Sequence, residues 1–241
     1  MEDNKVKLNI MPEPDYKTRE AFNSLRTNIK FCGSDIKVIM TTSCVHNEGK
    51  TDVTMKLARS FAENGQKIVV IDADLRKSVI VGRYHIESSR TIAGLSHYLS
   101  GQAVIEEIIY RTNVENMDLI MTGYITPNPT ELLGSREFSR LLDYLRKNYD
   151  GVIIDSPPLG SVIDAAVIAP KCDGVILVIE NNAISYRFAQ DVKKQLEVTG
   201  CRILGAVMNK VDLDKNRYYN RYYKKYYGKY YNQEAGKTAK K

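Results

Sequence analysis

Six short, unbroken apolar runs punctuate the chain, at residues 38–41, 68–71, 119–121, 152–154, 175–179 and 204–208. Each has the length of a strand, and their apolar residues are continuous rather than alternating. Strands wetted on one face alternate polar with apolar residues, whereas strands covered on both faces do not. Segments with helical spacing separate the runs, at 51–64, 91–100, 135–148, 163–169 and 187–199. Strand and helix in alternation predict an α/β fold, a three-layer sandwich with a mostly parallel central sheet.

The 241 residues are 43% apolar, enough for one sizeable core. Residues 1–17 are polar with two prolines and read as an extended N-terminal arm. The next stretch, 18–31, places Ala21, Phe22, Leu25 and Ile29 at helical spacing, with Thr18 as the expected N-cap. The expected organisation is an arm over 1–17, one folded domain over 18–212 and a tail over 213–241.

The tail stands apart from the body in charge. Residues 215–241 carry nine Lys/Arg and one acid, a net of +8, and the other 214 residues a net of −2. The basic balance of the protein therefore belongs to its tail. Within it, RYYNRYYKKYYGKYY sets four Tyr-Tyr doublets four residues apart: Tyr218 and Tyr219, Tyr222 and Tyr223, Tyr226 and Tyr227, Tyr230 and Tyr231. That is half of the chain's sixteen tyrosines, with no Leu, Ile, Val or Phe to bury them. Such a tail is either a basic-aromatic adhesive surface or a set of phosphate acceptors.

Other classes are set aside. The four cysteines are widely spaced with no C-x-x-C pair, which argues against a disulfide framework or a zinc site and for a reducing compartment. The start lacks the apolar core of a signal peptide, and no run approaches 18 apolar residues. A membrane role then requires a partner or the charged tail.

The segment VIMTTSCVHNEGKTDVTMKLARSF reads strand, loop, helix. Its loop ends in Gly49-Lys50-Thr51, the second half of the phosphate-binding pattern G-x-x-x-x-G-K-[ST], with Cys44 at the first glycine position. Such a loop aims backbone N–H groups at phosphate oxygens and sets the anion at a helix N-terminus. Gly49 allows close approach, Lys50 brings charge to the outer phosphates, and the Thr51 hydroxyl suits Mg²⁺. Asn47 tolerates the positive φ that a glycine often takes in such turns. The candidate nucleotide-binding set is Asn47, Glu48, Gly49, Lys50, Thr51 and Asp52, with Asn209 at the base.

Two further strands end in carboxylates. KIVVIDADLRKS sets Asp72 and Asp74 after the second apolar run, and DGVIIDSPPLG sets Asp155 after the fourth. Carboxyl ends of strands are where α/β sheets bind ligands. Two carboxylates two residues apart suit one task at a metal and one at a reacting hydroxyl. After the last strand, Asn209-Lys210-x-Asp212 has the form of a purine-reading loop.

These segments resemble the bacterial tyrosine kinases (BY-kinases) of the capsular and exopolysaccharide regulators, P-loop NTPase-like proteins unrelated to eukaryotic kinases. The resemblance runs from about Glu20 to the C-terminus. It is carried by EAFNSLRTNIKF, TTSCVHNEGKT, KIVVIDADLRKS, TGYITPNPTELLGS, YDGVIIDSPPLG, CDGVILVIE and GAVMNKVD, followed by the tyrosine tail. It implies an ATP- and Mg²⁺-dependent autokinase that phosphorylates its tail tyrosines in trans. Lys50 and Thr51 would hold phosphates and metal, and Asp74 and Asp155 would complete the metal shell. Asp72 would orient or deprotonate the attacking tyrosine, with Arg76 in the same motif. Glu20 and Arg26 match an E-x-x-R-x-x-R helix used for ring assembly, with Asn23 where its first arginine is expected. His46-Asn47 stand where Pro-Gly is usual. The resemblance further implies a membrane adaptor of the polysaccharide co-polymerase type, a phosphotyrosine phosphatase, and a cytoplasmic position at the inner face of the plasma membrane. No nucleic-acid partner is expected.

The competing reading is a partitioning-type P-loop ATPase whose tail binds membrane or nucleic acid, since basic residues between aromatics can track phosphates and stack on bases. Such ATPases carry a lysine early in the loop where this chain has Val45, and anchoring does not require tyrosine.

Overall fold

The structure is a computed structural model that describes residues 4–88 and 92–211. The described residues up to Asn209 form one compact unit, and of the residues from Lys210 onward only 210 and 211 are described. The tyrosine doublets lie outside the described residues.

The chain order is α1 (Tyr16–Cys32), β1 (Val38–Ser43), α2 (Lys50–Glu63), β2 (Ile68–Asp72), α3 (Ile80–Arg83), α4 (Leu95–Leu99), α5 (Ile105–Ile108), β3 (Tyr110–Arg111), β4 (Met117–Ile120), α6 (Pro129–Gly134), α7 (Arg136–Asn148), β5 (Gly151–Asp155), α8 (Asp164–Ile168), β6 (Gly174–Glu180), α9 (Tyr186–Val198) and β7 (Ile203–Asn209). The strands form one seven-stranded sheet in the order β3-β4-β2-β5-β1-β6-β7. Every pairing is parallel except β3 with β4. All six apolar runs are strands. The antiparallel edge β3 has two residues and no apolar run to announce it.

Alternate residues of each strand feed two cores. Val38, Met40, Val69, Ile71, Val152 and Ile154 face one, packed under α4 and α6–α9. Ile39, Ile68, Val70, Ile153, Ile176 and Val178 face the other, packed under α1, α2 and α3. Burial on both faces explains why the runs are continuous. The six residues of β1 are all buried, as a central strand requires. β7 is exposed at several positions because it lies at the sheet edge.

The beginning of the chain is extended but packed. Lys5 bridges Arg111, Lys7 bridges Glu87, and Val6 and Leu8 are buried in the second core. α1 starts two residues earlier than its apolar spacing predicts. Its N-cap is Asp15, whose carboxylate accepts from the Thr18 N–H at 2.7 Å, so Thr18 lies inside the first turn rather than capping it. No helix among the described residues is long and apolar enough to cross a membrane.

Candidate active site

Parallel pairing brings the carboxyl ends of β1, β2 and β5 together, and the loop after β1 closes over them. That loop turns through two left-handed residues, Asn47 at φ +68° and Gly49 at φ +83°, before α2 starts at Lys50. Asn47 thus takes the backbone conformation for which its side chain is suited. Cys44 is fully buried, and burial first, then the nearby Glu48 charge, push its thiol up to about 12, so it is an inert packing group.

Lys50, Thr51 and Asp155 form the centre of the site. The Lys50 ammonium donates to Asp155 Oδ1 at 2.5 Å, and the Thr51 hydroxyl to Asp155 Oδ2 at 2.7 Å. The Thr54 hydroxyl adds a third donor to Asp155 Oδ1 at 3.1 Å and lies 2.5 Å from Thr41 Oγ1. Both side chains of the Lys50–Asp155 pair are nearly excluded from water. Thr54 and Thr41 had no motif to single them out, although Thr54 sits one helical turn after Lys50.

Asp72 stands beside this pair, aligned in register with Asp155 across β2 and β5. It is fully buried, accepts from the Ser78 hydroxyl, and accepts from the Asp74 N–H at 3.3 Å. Burial, with the neighbouring Asp155 charge second, raises its carboxyl to about 7. A carboxylate poised near neutrality is suited to accept a proton from a substrate hydroxyl. Asp74, also buried, accepts from the Arg76 and Lys77 N–H groups. It lines a cavity of about 100 Å3 over the loop, together with Lys50, Thr51, Lys77, Arg83 and Pro158. Lys77 lies in the quoted segment KIVVIDADLRKS without an assigned role, and Arg83 is a basic group that no motif had placed there. A roomier cavity of about 180 Å3 on the outer face of α2 shares Arg83 with this one, and one of about 590 Å3 at the amino ends of β2 and β4 shares no lining residue with it.

The oxygen donors of Thr51, Asp74 and Asp155 suit Mg²⁺, a hard cation that takes one or two carboxylates and completes its shell with water and substrate phosphate. No group of three or more His, Cys, Asp or Glu that could hold a metal exists among the described residues.

Six other expected residues have different surroundings. Arg76 forks onto Asp164, with Nε to Oδ2 at 2.6 Å and Nη2 to Oδ1 at 3.0 Å, and also donates to Thr130 Oγ1 at 3.1 Å. Burial raises the Asp164 carboxyl, but the Arg76 guanidinium and the Thr130 hydroxyl outweigh it and hold the group below the usual carboxylate range. Arg76 therefore clamps the loop after β2 to α6 and α8, and no sequence signal linked it to Asp164. The Asp52 side chain turns along α2 to Lys56 at 2.8 Å. The Glu48 carboxylate faces inward to its own loop, and Asn209 donates its amide to the Glu48 carbonyl at 2.8 Å. On α1, Glu20 accepts from Asn23 at 3.0 Å, and Arg26 donates to the carbonyl of Ser60 and, at 2.9 Å, to its hydroxyl.

Comparison with known proteins agrees with this geometry. A family model described as an AAA domain matches residues 37–199. The tyrosine-protein kinase CpsD of Streptococcus pneumoniae serotype 4 is 44% identical over 202 residues, which cover 84% of this chain and 88% of that protein. Among solved structures, the chimerical protein CapA2B2 superposes with a TM-score of 0.78 at 32% identity, covering 85% of this chain and 89% of that one. The kinase domain of the Escherichia coli tyrosine kinase ETK gives 0.76 at 32% identity, covering 80% and 75%. With its P-loop, its paired strand-end carboxylates and this similarity, the chain belongs to the bacterial tyrosine-protein kinases of the CpsD type.

Proposed function

We propose that this kinase transfers the γ-phosphoryl group of ATP to the tyrosines of its own tail, acting in trans between copies, to regulate capsular or exopolysaccharide synthesis and export. The observation that carries the reading is the placement of Asp72: a buried carboxyl poised near pH 7, aligned with the Lys50–Asp155 pair beneath a phosphate loop.

The chemistry follows from charge and position. Phosphoryl transfer depends on alignment and on neutralising the charge of the transferred group more than on covalent catalysis. Lys50 exchanges Asp155 for phosphate oxygens and offsets that charge. The loop amides from Asn47 to Thr51 cradle the phosphates. Thr51, Asp155 and Asp74 would hold Mg²⁺, which would supply further charge neutralisation at the phosphates. A tyrosine hydroxyl, with a reference pKa near 10, gives its proton to Asp72 as its oxygen bonds to the γ-phosphorus. The bond from that phosphorus to the β,γ-bridging oxygen breaks, and ADP leaves. Asn209 meets the purine.

The acceptors are Tyr218, Tyr219, Tyr222, Tyr223, Tyr226, Tyr227, Tyr230 and Tyr231. Each phosphate adds about −1.5 to −2 charge, so roughly four or five would cancel the tail's positive excess. The working division is an arm over 1–17, a kinase domain over 18–212 and the acceptor tail over 213–241. Glu20 and Arg26 serve ring assembly, a membrane adaptor of the co-polymerase type recruits and activates the kinase at the inner face of the membrane, and a phosphotyrosine phosphatase resets it.

Mixing two forms tests the trans reaction. A truncation after Asp214 keeps the site and lacks acceptors, and full-length Lys50→Met keeps acceptors and lacks the site. Incubated together with Mg²⁺, γ-labelled ATP and the adaptor's cytosolic segment, they should place phosphotyrosine on the full-length variant. Labelling by intact enzyme of its own chain but never of the variant would contradict transfer in trans.

A further inference from the structure

Glu48 is the least expected side chain of the phosphate loop. It is a carboxylate at 1% exposure directly beneath the place where an anion is to bind. Its Oε2 accepts from the Cys44 N–H at 2.7 Å and the Val45 N–H at 2.8 Å. Its Oε1 accepts from the Glu180 N–H, at the end of β6, at 3.2 Å. Its backbone carbonyl accepts from the Asn209 amide, at the end of β7, at 2.8 Å. One residue thus joins the start of the loop, its middle and the ends of two strands.

We propose that Glu48 and Asn209 form a latch that positions the phosphate loop, so that Asn209 acts on phosphate binding through Glu48 whether or not a base is present. Hydrogen bonds to a carboxylate are stronger than neutral ones, and they hold Cys44 and Val45 at one end of the loop. With those two N–H groups taken, phosphate contacts fall to the amides that follow them. The opposite side of Cys44 is closed as well. A Cβ on Gly160 would stand 2.2 Å from the Cys44 carbonyl oxygen, and the Leu159 N–H donates to the Ser43 carbonyl at 2.9 Å. The Cys44 peptide is therefore held between Glu48 and the loop after β5. This fits a turn with Cys44 at the first glycine position of its motif: extra hydrogen bonds hold the loop from within. The proposal rests on the nucleotide-site reading given above.

Calorimetric titration of full-length protein with Mg-ADP and with Mg-pyrophosphate, which has no base, provides the test. Glu48→Gln keeps the side chain's size but turns an amide NH2 toward the backbone N–H donors at one of the two oxygen positions. It should weaken both ligands by about tenfold to a hundredfold, as leaving buried donors unpaired does. Asn209→Ala should weaken pyrophosphate as well as ADP, and the double variant should lose less than the sum of the two, because the Glu48 side chain and the Asn209 amide hold the same loop. Thermal midpoints monitored by circular dichroism report folding. If Glu48→Gln does not fold, Asn209→Ala alone decides, since it leaves the carboxylate in place. Pyrophosphate binding unchanged in Asn209→Ala overturns the latch and leaves Asn209 as a base contact only. ADP binding by Glu48→Gln as tight as or tighter than wild type overturns it too. A wild-type protein that binds neither ligand removes the nucleotide-site reading and the latch with it.

Discussion

Asp72 and Asp155 are register partners at the carboxyl ends of adjacent strands, yet Lys50 pairs with Asp155, while Asp72 is met by the Ser78 hydroxyl and the Asp74 amide. Two buried carboxyl groups side by side do not both ionise readily, and this environment divides their roles. Asp155 is met by the Lys50 ammonium and two hydroxyls, and the Asp72 carboxyl is raised to about 7.

Tyrosine phosphorylation should therefore rise with pH through about 7 as Asp72 loses its proton. Asp72→Asn should lower the transfer rate about 10²- to 10⁴-fold and abolish that inflection. The check is initial rate against pH at saturating Mg-ATP. A wild-type profile flat between pH 6 and 8 would contradict the assignment.

The same shift bears on stability. The Asp72 carboxyl is raised from 3.8 to about 7, so between those values the native state keeps a proton that the unfolded chain has released. Stability then falls as pH rises through that window, by at most roughly 4 kcal/mol. Asp72→Asn cannot ionise and should be more stable than wild type above pH 7 despite its slow transfer. Urea unfolding at pH 5 and pH 8 measures the difference.

Lys50→Met strands a buried Asp155. Breaking a buried pair from one side costs about 3–5 kcal/mol. The double variant Lys50→Met, Asp155→Asn removes both charges and should regain most of that stability with no return of activity. Denaturant midpoints of the three forms test this.

Arg76→Ala should destabilise the protein by about 1–3 kcal/mol by leaving the buried Asp164 without its fork, and Arg76→Lys should only partly restore it. Asp164 is held below its usual range, so the stability from this contact is fully present above pH 3.8 and is lost as pH falls through the lower native value. Acid-unfolding curves of wild type and Arg76→Ala should converge at the acid end.

Arg26 has work within one copy. Its bonds to Ser60 join α1 to α2, so Arg26→Ala should lower the thermal midpoint by the equivalent of about 1–3 kcal/mol even in dilute protein. If assembly were its only role, the midpoint would change only at concentrations where wild type associates. Scans at two concentrations distinguish these.

Much of this fold was legible from the chain because burial on both faces writes continuous apolar runs, and all six became strands. β3 was not legible, since two edge residues carry no period, and neither were the short helices α3, α5 and α6, which have too few turns to show one. The N-cap of α1 was displaced because Asp15, before the periodic segment, outcompetes Thr18. Of the residues chosen by motif, the structure brings Lys50, Thr51, Asp72, Asp74 and Asp155 together, because the start of α2 and the ends of β2 and β5 meet at one edge of the sheet. Spacing says nothing of where a side chain turns. Arg76 found Asp164 eighty-eight positions away, Asp52 found Lys56, and Glu48 turned inward, all through tertiary contacts absent from any local pattern.

The most direct measurement is mass spectrometry of the tail after incubation with Mg-ATP and the adaptor's cytosolic segment, with ATP consumption followed in parallel. Phosphate on tyrosines between Tyr218 and Tyr231 in wild type, far less at equal times in Asp72→Asn and none in Lys50→Met, is the predicted result. ATP hydrolysis by wild type with no phosphotyrosine in the tail would contradict it.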